Sequence, residues 1–419
     1  MTNDIKNLIL SKTAKDSSVI FLGNGISAVL GIIITILAAR YLGPESWGIA
    51  AAILSFIIML SAIADFGFGS GLFRFVSKYL SQGKKEEADR VVGIIFFIRV
   101  ISALFLSLML IALAKFITPS FFRTQDFSLV ILGAVGLIGL LLLDFQIAYY
   151  QAKLNFKLAA IFIALTNLIR LVGILGLIYF NILYLFSLLL IYFGSSLVVF
   201  LVAWAINPIF LKVSNNWHKT LPEIFAFSGW MGINRVISVV NSRIDVLLLL
   251  QLGSSVEVGI FAAAKQLASG VPLIFGSFAT VLAPKFGSYE GNNLKNFFNK
   301  SLLASVVLGA GLLMAVFVCE PIISLFGDKY NKSVPVLQWL FIGLIPFALS
   351  TPSVNFLIYS AHKPKIIAFL TLFQLPFVIL GNIYLISKLG VLGPVIISGL
   401  VNLSTMLVTY YLVYRILRR

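Results

Sequence analysis

Cysteine and histidine are scarce in this chain: its 419 residues include one cysteine, Cys319, and two histidines, His218 and His362. A disulfide within the chain needs two cysteines, and a structural zinc site needs about four nitrogen or sulfur ligands. A cysteine nucleophile needs a base within hydrogen-bond reach, but Cys319 lies near one end of an apolar segment, whereas both histidines lie in polar connectors. We therefore expect neither a disulfide scaffold nor a metal site, and a protein that is not an enzyme.

Charged residues are also few, at 11% of the chain against 60% hydrophobic residues. Soluble domains carry roughly a quarter charged residues, and a mean hydropathy of +1.05 over the whole chain leaves no room for a sizeable soluble domain. The longest polar stretches, 80–90 and 212–223, have the length of connectors. No phosphate-binding loop of the pattern G-x-x-x-x-G-K-[ST] is present, so the chain is not expected to drive transport by its own ATP hydrolysis.

The apolar residues form long runs, and about 20 of them in a row suffice to cross the hydrocarbon core of a membrane. The chain contains twelve such runs. They are 18–39, 47–71, 91–114, 127–150, 158–180, 182–206, 224–250, 258–283, 302–323, 334–359, 366–387 and 389–416. The sequence therefore predicts an all-α integral membrane protein with twelve transmembrane helices.

Lysine and arginine are concentrated in alternate connectors. If the N-terminus lies in the cytoplasm, every cytoplasmic segment holds at least two of them, and the outer segments hold far fewer in total. Because positive charge is retained on the cytoplasmic side of a membrane, both termini are predicted to be cytoplasmic. The formal net charge of +16 then reflects topology and attraction to anionic lipid, and it gives no reason to expect nucleic acid as a partner.

Short motifs recur at a nearly constant offset, close to half of the chain length. The matching positions are Gly43 and Gly253, Gly48 and Gly259, Lys78 and Lys285, and Tyr150 and Tyr359. Six spans per half is an even number, so both halves enter the membrane from the same side as parallel repeats. We predict two pseudo-symmetric six-helix lobes, 1–211 with helices 1–6 and 212–419 with helices 7–12, around a central cavity.

Two motifs lie close together near the start of the chain. Residues 39–48 read ARYLGPESWG and residues 65–69 read DFGFG, followed by a charged loop near Lys84. With the length, span count and repeat, they resemble the polysaccharide transporter family, the O-antigen (Wzx-type) oligosaccharide flippases of the MATE-like MOP superfamily. The pair Gly43-Pro44 also predicts a tight turn between the first two spans, because glycine permits unusual backbone angles and proline cannot continue a helix.

This resemblance implies an alternating-access flippase in the bacterial cytoplasmic membrane. Its expected substrate is an undecaprenyl-diphosphate-linked oligosaccharide, moved from the inner to the outer leaflet for the synthesis of a surface polysaccharide such as O-antigen lipopolysaccharide. The implied partners are this lipid-linked oligosaccharide, membrane lipids, a polysaccharide polymerase and a chain-length regulator. No cofactor is implied, although coupling of transport to H⁺ or Na⁺ stays open.

Ionisable side chains inside membrane spans cost several kcal/mol unless they meet water or a partner, so they are candidates for function. Eight stand out, away from the ends of the predicted spans or on a polar helical face: Asp65, Arg99, Asp144, Arg170, Arg235, Arg243, Asp245 and Lys265. Five are cationic and three are acidic, so an inward-facing set would make a positive cavity. Such a cavity suits a diphosphate, which arginine forks and lysine ammonium groups bind.

We predict that Arg235, Lys265 and Arg170 hold the diphosphate. Asn234 and Asn241 lie on one helical stripe and are further candidates to line the cavity. Arg99 is another, with the alternative that its side chain extends to the nearby membrane surface.

Three acidic residues have two possible roles. Asp65, Asp144 and Asp245 are candidates to bind a coupling proton or sodium ion, or to act as counter-ions for the nearby cations. For each of the eight intramembrane charges, a salt bridge between helices is the alternative to a role in the cavity.

Two other functions remain open. An ion-coupled multidrug or organic cation exporter of the same superfamily would need carboxylates to dominate the cavity, but the intramembrane charges here are mostly positive. A membrane enzyme such as a polysaccharide polymerase or an acyl transferase would need a catalytic base or a sizeable loop outside the membrane. The chain has no histidine within a predicted span and only short connectors, which argues against an enzyme.

Overall fold

The computed structural model of the protein describes residues 12–209 and 217–418, and within these ranges every regular element is a helix. We number the helices α1 to α14 in chain order. They are α1 (Lys12–Asp65), α2 (Phe68–Ser81), α3 (Lys85–Phe122), α4 (Ser128–Ala152), α5 (Phe156–Tyr179), α6 (Leu185–Ile206), α7 (Trp217–Leu252), α8 (Ser255–Ala268), α9 (Gly270–Ser288), α10 (Gly291–Val316), α11 (Cys319–Ile323), α12 (Ser333–Asn355), α13 (Pro364–Leu389) and α14 (Leu392–Leu417). Two 3₁₀ turns, Ser324–Phe326 and Asp328–Tyr330, precede α12, and a π-helical turn, Phe356–Ser360, follows it.

Ten helical stretches of the described chain are long and apolar enough to cross a membrane. The first, Gly25–Asp65, has 41 residues, about 60 Å of helix and twice what the hydrocarbon core needs. It supplies two spans, because Gly43 interrupts it. Helix α7 supplies one more and is less apolar because it carries Arg235, Arg243 and Asp245. The helices therefore reproduce the predicted twelve spans.

The interruption at Gly43 is the turn that the Gly-Pro pair predicts. Gly43 has φ +74° and ψ 168°, a non-helical conformation, and Pro44 follows it directly. Glycine adopts this backbone conformation without strain, because it has no Cβ. The predicted break between the first two spans is confirmed.

A second interruption was not predicted. The predicted span 47–71 is not continuous, because its helix ends at Asp65 and the chain passes through Phe66 and Gly67 with φ values of 37° and 78° before α2 begins. A Cβ on Gly67 would overlap the backbone nitrogen of Gly232 on α7. Hydropathy does not reveal the break, since the residues on both sides of it are apolar.

Helix contacts divide the described chain into two compact units. Unit 1 comprises the described residues up to Ile34 together with Ile53–Arg243. Unit 2 comprises Thr35–Ala52 and the described residues from Ile244 onward. Helices α1 and α7 therefore contribute to both. The predicted boundary of the lobes, between residues 211 and 212, lies outside the described residues, so the division into lobes stays a prediction.

The core of unit 1 is aromatic and closely packed. The ring of Phe96 on α3 lies 5.2 Å from Phe145 on α4 and 5.7 Å from Trp204 on α6. On α4, a Cβ at Gly136 would overlap the ring of Phe193 on α6. Small residues at such contacts let membrane helices approach one another, and Gly136 allows α4 to pack closely against α6.

In each unit a hydrogen bond joins the same two repeated motifs, with the donor on opposite motifs in the two units. In unit 1, the Ser77 hydroxyl on α2 donates to the Ala152 carbonyl at the end of α4, at 2.8 Å. In unit 2, the Ser360 hydroxyl in the π-helical turn donates to the Phe286 carbonyl on α9, at 2.6 Å. Each bond joins the motif around Lys78 or its repeat to the motif around Tyr150 or its repeat. Corresponding motifs are therefore neighbours in both units.

Two glycines of the repeat meet within unit 2. A Cβ on Gly48 would overlap the carbonyl oxygen of Ser255, and a Cβ on Gly259 would overlap that of Pro44. Ser255 lies four residues before Gly259, and Pro44 lies four residues before Gly48. Each helix therefore presents the same pair, a glycine and the carbonyl four residues before it, to the other helix. This self-complementary contact resembles a two-fold interface between identical subunits.

Substitution of either glycine should disrupt this contact. We expect Gly48→Leu and Gly259→Leu each to lower the thermal unfolding temperature of the detergent-purified protein, because overpacking costs about 1–3 kcal/mol. Gly311→Leu on α10 is the matched control, since nothing lies within 4 Å of its Cβ position. Equal unfolding temperatures for all three variants and the wild type would contradict the contact.

A buried tyrosine forms a hydrogen bond with the end of the first span within unit 2. Tyr330, whose side chain is fully buried, donates its hydroxyl proton to the Ala39 carbonyl at 2.9 Å. Burial raises the pKa of Tyr330, so the hydroxyl keeps its proton at physiological pH and remains a donor. The neighbouring Arg40 donates to the Leu325 carbonyl at 3.4 Å.

Candidate substrate-binding site

The break after α1 positions a carboxylate inside unit 1. Asp65 is the last residue of α1, and its Oδ1 accepts a hydrogen bond of 3.1 Å from the Gly69 backbone N–H in the first turn of α2. The carboxylate therefore also satisfies an amide that the helix start leaves unpaired. Helix α7 packs against this break at Gly232. Arg235 lies about one turn further along α7, so its side chain reaches the same carboxylate.

Asp65 and Arg99 form a buried ion pair. Each side chain is only 1% exposed, and the Arg99 guanidinium contacts Asp65 Oδ1 directly. Arg99 also donates to the Leu141 carbonyl on α4 at 3.4 Å. Its side chain is thus buried within unit 1 and does not extend to the membrane surface. Buried charges of this kind need a partner and further hydrogen bonds. Besides the ion pair, each residue makes one hydrogen bond to the backbone, whereas the buried Arg99 Nε makes none among the described residues.

Arg235 lies between two carboxylates. Its Nη1 is 3.4 Å from Asp65 Oδ2, and its Nη2 is 3.9 Å from Asp144 Oδ2 on α4. The Arg235 side chain is 41% exposed and that of Asp144 is 45% exposed, in contrast to the 1% of Asp65. Because charged side chains at membrane depth are stable where water or partners reach them, this exposed pair marks the accessible side of the cluster.

Arg170 on α5 is held by α6 through neutral groups. Its Nε donates to the Ser195 hydroxyl at 2.9 Å, and its Nη2 donates to the Tyr192 carbonyl and the Ser196 hydroxyl at 3.2 Å each. The guanidinium also lies 5.0 Å from the centre of the Tyr192 ring. No carboxylate in the described part of the chain lies within 4.0 Å of it, although Asp144 acts on it electrostatically.

These residues form one cluster, which we call the arginine cluster. Its members are Asp65, Arg99, Asp144, Arg170 and Arg235, all in unit 1. Arg99, Arg170 and Arg235 all act electrostatically on Asp144. Three guanidinium groups and two carboxylates give the cluster a formal charge of +1. Arginine binds phosphates in a forked geometry, and this positive charge favours an anionic ligand.

Lys265 and Asp245 form a separate pair in unit 2. The Lys265 ammonium is 2.5 Å from Asp245 Oδ2, and the two side chains are 29% and 11% exposed. The same ammonium lies 5.3 Å from the centre of the Phe261 ring. Lys265 therefore has a carboxylate partner within its own unit, and its predicted role in holding a diphosphate stays a prediction.

The two predicted asparagines lie outside the arginine cluster's ion pairs. Asn234 is beside Arg235 on α7, and its side-chain amide donates to the Trp230 carbonyl of the same helix at 3.0 Å. The Asn241 side-chain oxygen is buried and makes no hydrogen bond among the described residues. Neither observation tests the predicted role of these residues in lining a cavity.

Sequence reasoning missed the residues that hold the cations in place. Ser195 and Ser196 are the contacts of Arg170, and their signal was a pair of adjacent hydroxyls within the otherwise apolar run of α6. Gly67 and Gly232 allow α7 to pack against the break after α1. The only feature of the sequence that indicates this contact is the presence of a glycine inside each of two predicted spans.

Comparison with known proteins identifies the family of this chain. The model of a family described as "Polysaccharide biosynthesis protein" matches residues 13–290, which is more than half of the chain. The chain belongs to this family. The resemblance that the first motifs predict is therefore confirmed.

One sequence relative of this polysaccharide biosynthesis protein is the lipopolysaccharide biosynthesis protein WzxC of Escherichia coli K12. The two are 22% identical over 45% of this chain and 39% of that protein. The match covers less than half of either protein, so it adds to the family assignment and does not by itself identify a substrate.

Two solved structures share the fold. An inward-facing multidrug resistance MATE family transporter of the MOP superfamily aligns with a TM-score of 0.73 at 16% identity, over 93% of this chain and 94% of that one. The lipid II flippase MurJ in an inward closed conformation aligns with a TM-score of 0.75 at 14% identity, over 94% and 87% of the two chains. The predicted all-α, MATE-like membrane fold is confirmed.

Proposed function

We propose that this polysaccharide biosynthesis protein is a flippase for an undecaprenyl-diphosphate-linked oligosaccharide. It would carry the lipid-linked sugar from the inner to the outer leaflet of the bacterial cytoplasmic membrane by alternating access, for a surface polysaccharide such as O-antigen. The observation that carries the proposal is the excess of guanidinium groups in the arginine cluster, inside a chain of this family. The family name and the fold shared with a lipid flippase support it.

The chemistry of the cluster suits a diphosphate. Arg235 is 41% exposed, and Arg170 is held by neutral hydrogen-bond partners, with no carboxylate of a described residue within 4.0 Å. A guanidinium forms paired, charge-assisted hydrogen bonds with phosphate oxygens. A diphosphate linked to a lipid therefore offers these arginines a polyanionic partner at membrane depth, where each uncompensated charge is costly.

The alternative function is an ion-coupled exporter of multidrug or organic cations. The half-exposed carboxylate of Asp144 is the feature that favours it. Asp144 lies beside Arg235, however, and three arginines act on its charge. A cation that approached Asp144 would be repelled by these positive charges, and for that reason we prefer an anionic substrate.

A complementation experiment separates the two functions. The wild-type gene is expressed in a strain that lacks its own O-antigen flippase, and the surface polysaccharide is measured on gels. Restored polysaccharide with unchanged susceptibility to cationic drugs is the result that the flippase proposal expects. Increased resistance to cationic drugs without restored polysaccharide would overturn it in favour of the exporter. A restored phenotype would also motivate a search for contacts with the polymerase and the chain-length regulator.

Coupling to an ion gradient is a separate proposal. In the structure, Asp65 contacts Arg99, and Asp245 contacts Lys265, so both have the geometry of counter-ions. Asp144 is the most exposed of the three predicted coupling residues. We propose Asp144 as the residue that exchanges a proton or sodium ion if transport is coupled. Transport that is insensitive to both ion gradients would reject this role.

Cysteine accessibility tests the proposed orientation, with both termini in the cytoplasm. After Cys319→Ser, a single new cysteine is placed at exposed Lys84, in a predicted cytoplasmic connector, or at exposed Gln125, in a predicted outer connector. A membrane-impermeant maleimide is expected to label Gln125→Cys in intact cells and Lys84→Cys only after lysis. The reverse labelling pattern would contradict the predicted topology.

A further inference from the structure

We propose that Asp144 is a built-in counter-anion, which a polyanionic headgroup displaces from Arg235. This inference rests on the proposed function and deepens it. It makes Asp144 a residue that determines specificity, by favouring lipids whose headgroup carries two adjacent phosphates over lipids with a single negative charge.

The two carboxylates beside Arg235 are held very differently. Asp65 is buried at 1% exposure and is fixed by the Arg99 guanidinium and by the Gly69 backbone N–H. Asp144 is 45% exposed, lies at the outer limit of an ion-pair distance at 3.9 Å, and accepts no hydrogen bond from any described residue. This long, half-exposed ion pair is held less tightly than the buried pair of Asp65 and Arg99, which are in direct contact. Asp144 is therefore the carboxylate that can be replaced.

The surroundings of Asp144 show what would replace it. Arg99, Arg170 and Arg235 all act on its charge, and among the described residues Asp65 is the acidic group that acts against them. Asp144 is thus the exposed carboxylate of a cluster whose formal charge is positive, whereas Asp65 is its buried carboxylate. An incoming group must compensate Arg235 better than this single carboxylate does, and it must tolerate the charge of Asp144 nearby.

A diphosphate meets this requirement and a single negative charge does not. Its two phosphates bring at least two negative charges and several acceptor oxygens, so they can engage two guanidinium groups through paired hydrogen bonds. A monoanion offers Arg235 no more charge than Asp144 already provides. The carboxylate therefore filters headgroups by charge and keeps the cation neutralised when no substrate is bound.

The test measures binding of inorganic pyrophosphate to the purified full-length protein in nanodiscs, at fixed low salt. We expect Asp144→Asn to bind pyrophosphate up to about tenfold more tightly than the wild type, because it removes one competing and repelling charge. Asp144→Glu keeps the charge and should stay close to the wild type. Asp328→Asn removes an exposed carboxylate in unit 2 and should change nothing.

The Arg235→Gln variant separates failure of this inference from failure of the proposed function. If Arg235→Gln weakens pyrophosphate binding but Asp144→Asn does not tighten it, the phosphate site stands and the counter-anion role is wrong. If Arg235→Gln has no effect, the proposed phosphate site itself is wrong. Absence of pyrophosphate binding by Asp144→Asn, which should be the tightest binder, would overturn both. Unfolding temperatures of all variants are measured alongside, so that a folding defect is not read as a loss of binding.

Discussion

Replacing Arg235 with alanine is expected to abolish complementation of a flippase-deficient strain while the protein stays at normal abundance in the membrane. The side chain is half-exposed, and it is the cation of the arginine cluster that meets both a buried and an exposed carboxylate. Truncating one partner of a charge-assisted contact costs about 2–5 kcal/mol of binding, which corresponds to roughly thirtyfold weaker binding or more. The readout is the amount of surface polysaccharide per unit of protein.

Two further variants make this result specific. Arg235→Lys should restore only part of the activity, because lysine keeps the charge but lacks the planar fork that binds a phosphate in two places. Lys84→Ala removes an exposed cation from a connector and should complement fully. The fold should survive loss of Arg235, since Asp65 keeps Arg99 and the Gly69 N–H as partners. Full complementation by Arg235→Ala would reject the role of this residue in substrate binding.

Replacing Arg99 with methionine is expected to have the largest effect on stability. Arg99 is fully buried and contacts Asp65 and the Leu141 carbonyl. Breaking a buried ion pair by removing one partner costs about 3–5 kcal/mol, and Asp65 would then keep only the more distant and half-exposed Arg235, at 3.4 Å, as its cationic partner. The expected result is a lower unfolding temperature in detergent and a lower abundance in the membrane.

A double variant distinguishes the ion pair from simple packing at this position. Arg99→Met combined with Asp65→Asn removes both charges and should recover much of the lost stability, since replacing a buried pair by neutral groups is often nearly neutral. A double variant that is less stable than Arg99→Met alone would contradict this explanation. Wild-type stability for Arg99→Met would contradict the buried pair altogether.

The membrane spans could be predicted because each depends on local composition. Twenty apolar residues identify a helix that crosses the membrane, whatever it packs against. The turn between the first two spans follows from the backbone preferences of Gly43 and Pro44 themselves. The repeat was visible for the same reason, since matching motifs such as those at Gly48 and Gly259 are read directly from the sequence. Their mutual contact in unit 2 was not visible.

The arginine cluster could be predicted only as a set of candidates. Helical spacing tells which residues of one helix share a face, but the pairing of Arg99 with Asp65 depends on how α3 packs against the end of α1. That packing depends on the break at Phe66 and Gly67, which hydropathy does not detect.

Helix α7 illustrates the same limit. Spacing along this helix put Asn234, Asn241 and Asp245 on one stripe, but the helix changes from unit 1 to unit 2 after Arg243. As a result Arg235 meets Asp65 and Asp144 in one unit, whereas Asp245 meets Lys265 in the other. Which packing unit a residue joins follows from tertiary contacts, and a periodic pattern carries no information about them.

The most direct test of the central claim is flipping by the purified protein in proteoliposomes. A fluorescent undecaprenyl-diphosphate-linked sugar is incorporated, and the fraction accessible to an impermeant quencher is followed over time. We expect the wild-type protein to make nearly all of the labelled lipid accessible, Arg235→Ala to behave like empty liposomes, and a lipid with a neutral headgroup to remain unflipped. Equal flipping by wild type and Arg235→Ala, or no flipping of the diphosphate lipid by the wild type, would contradict the account.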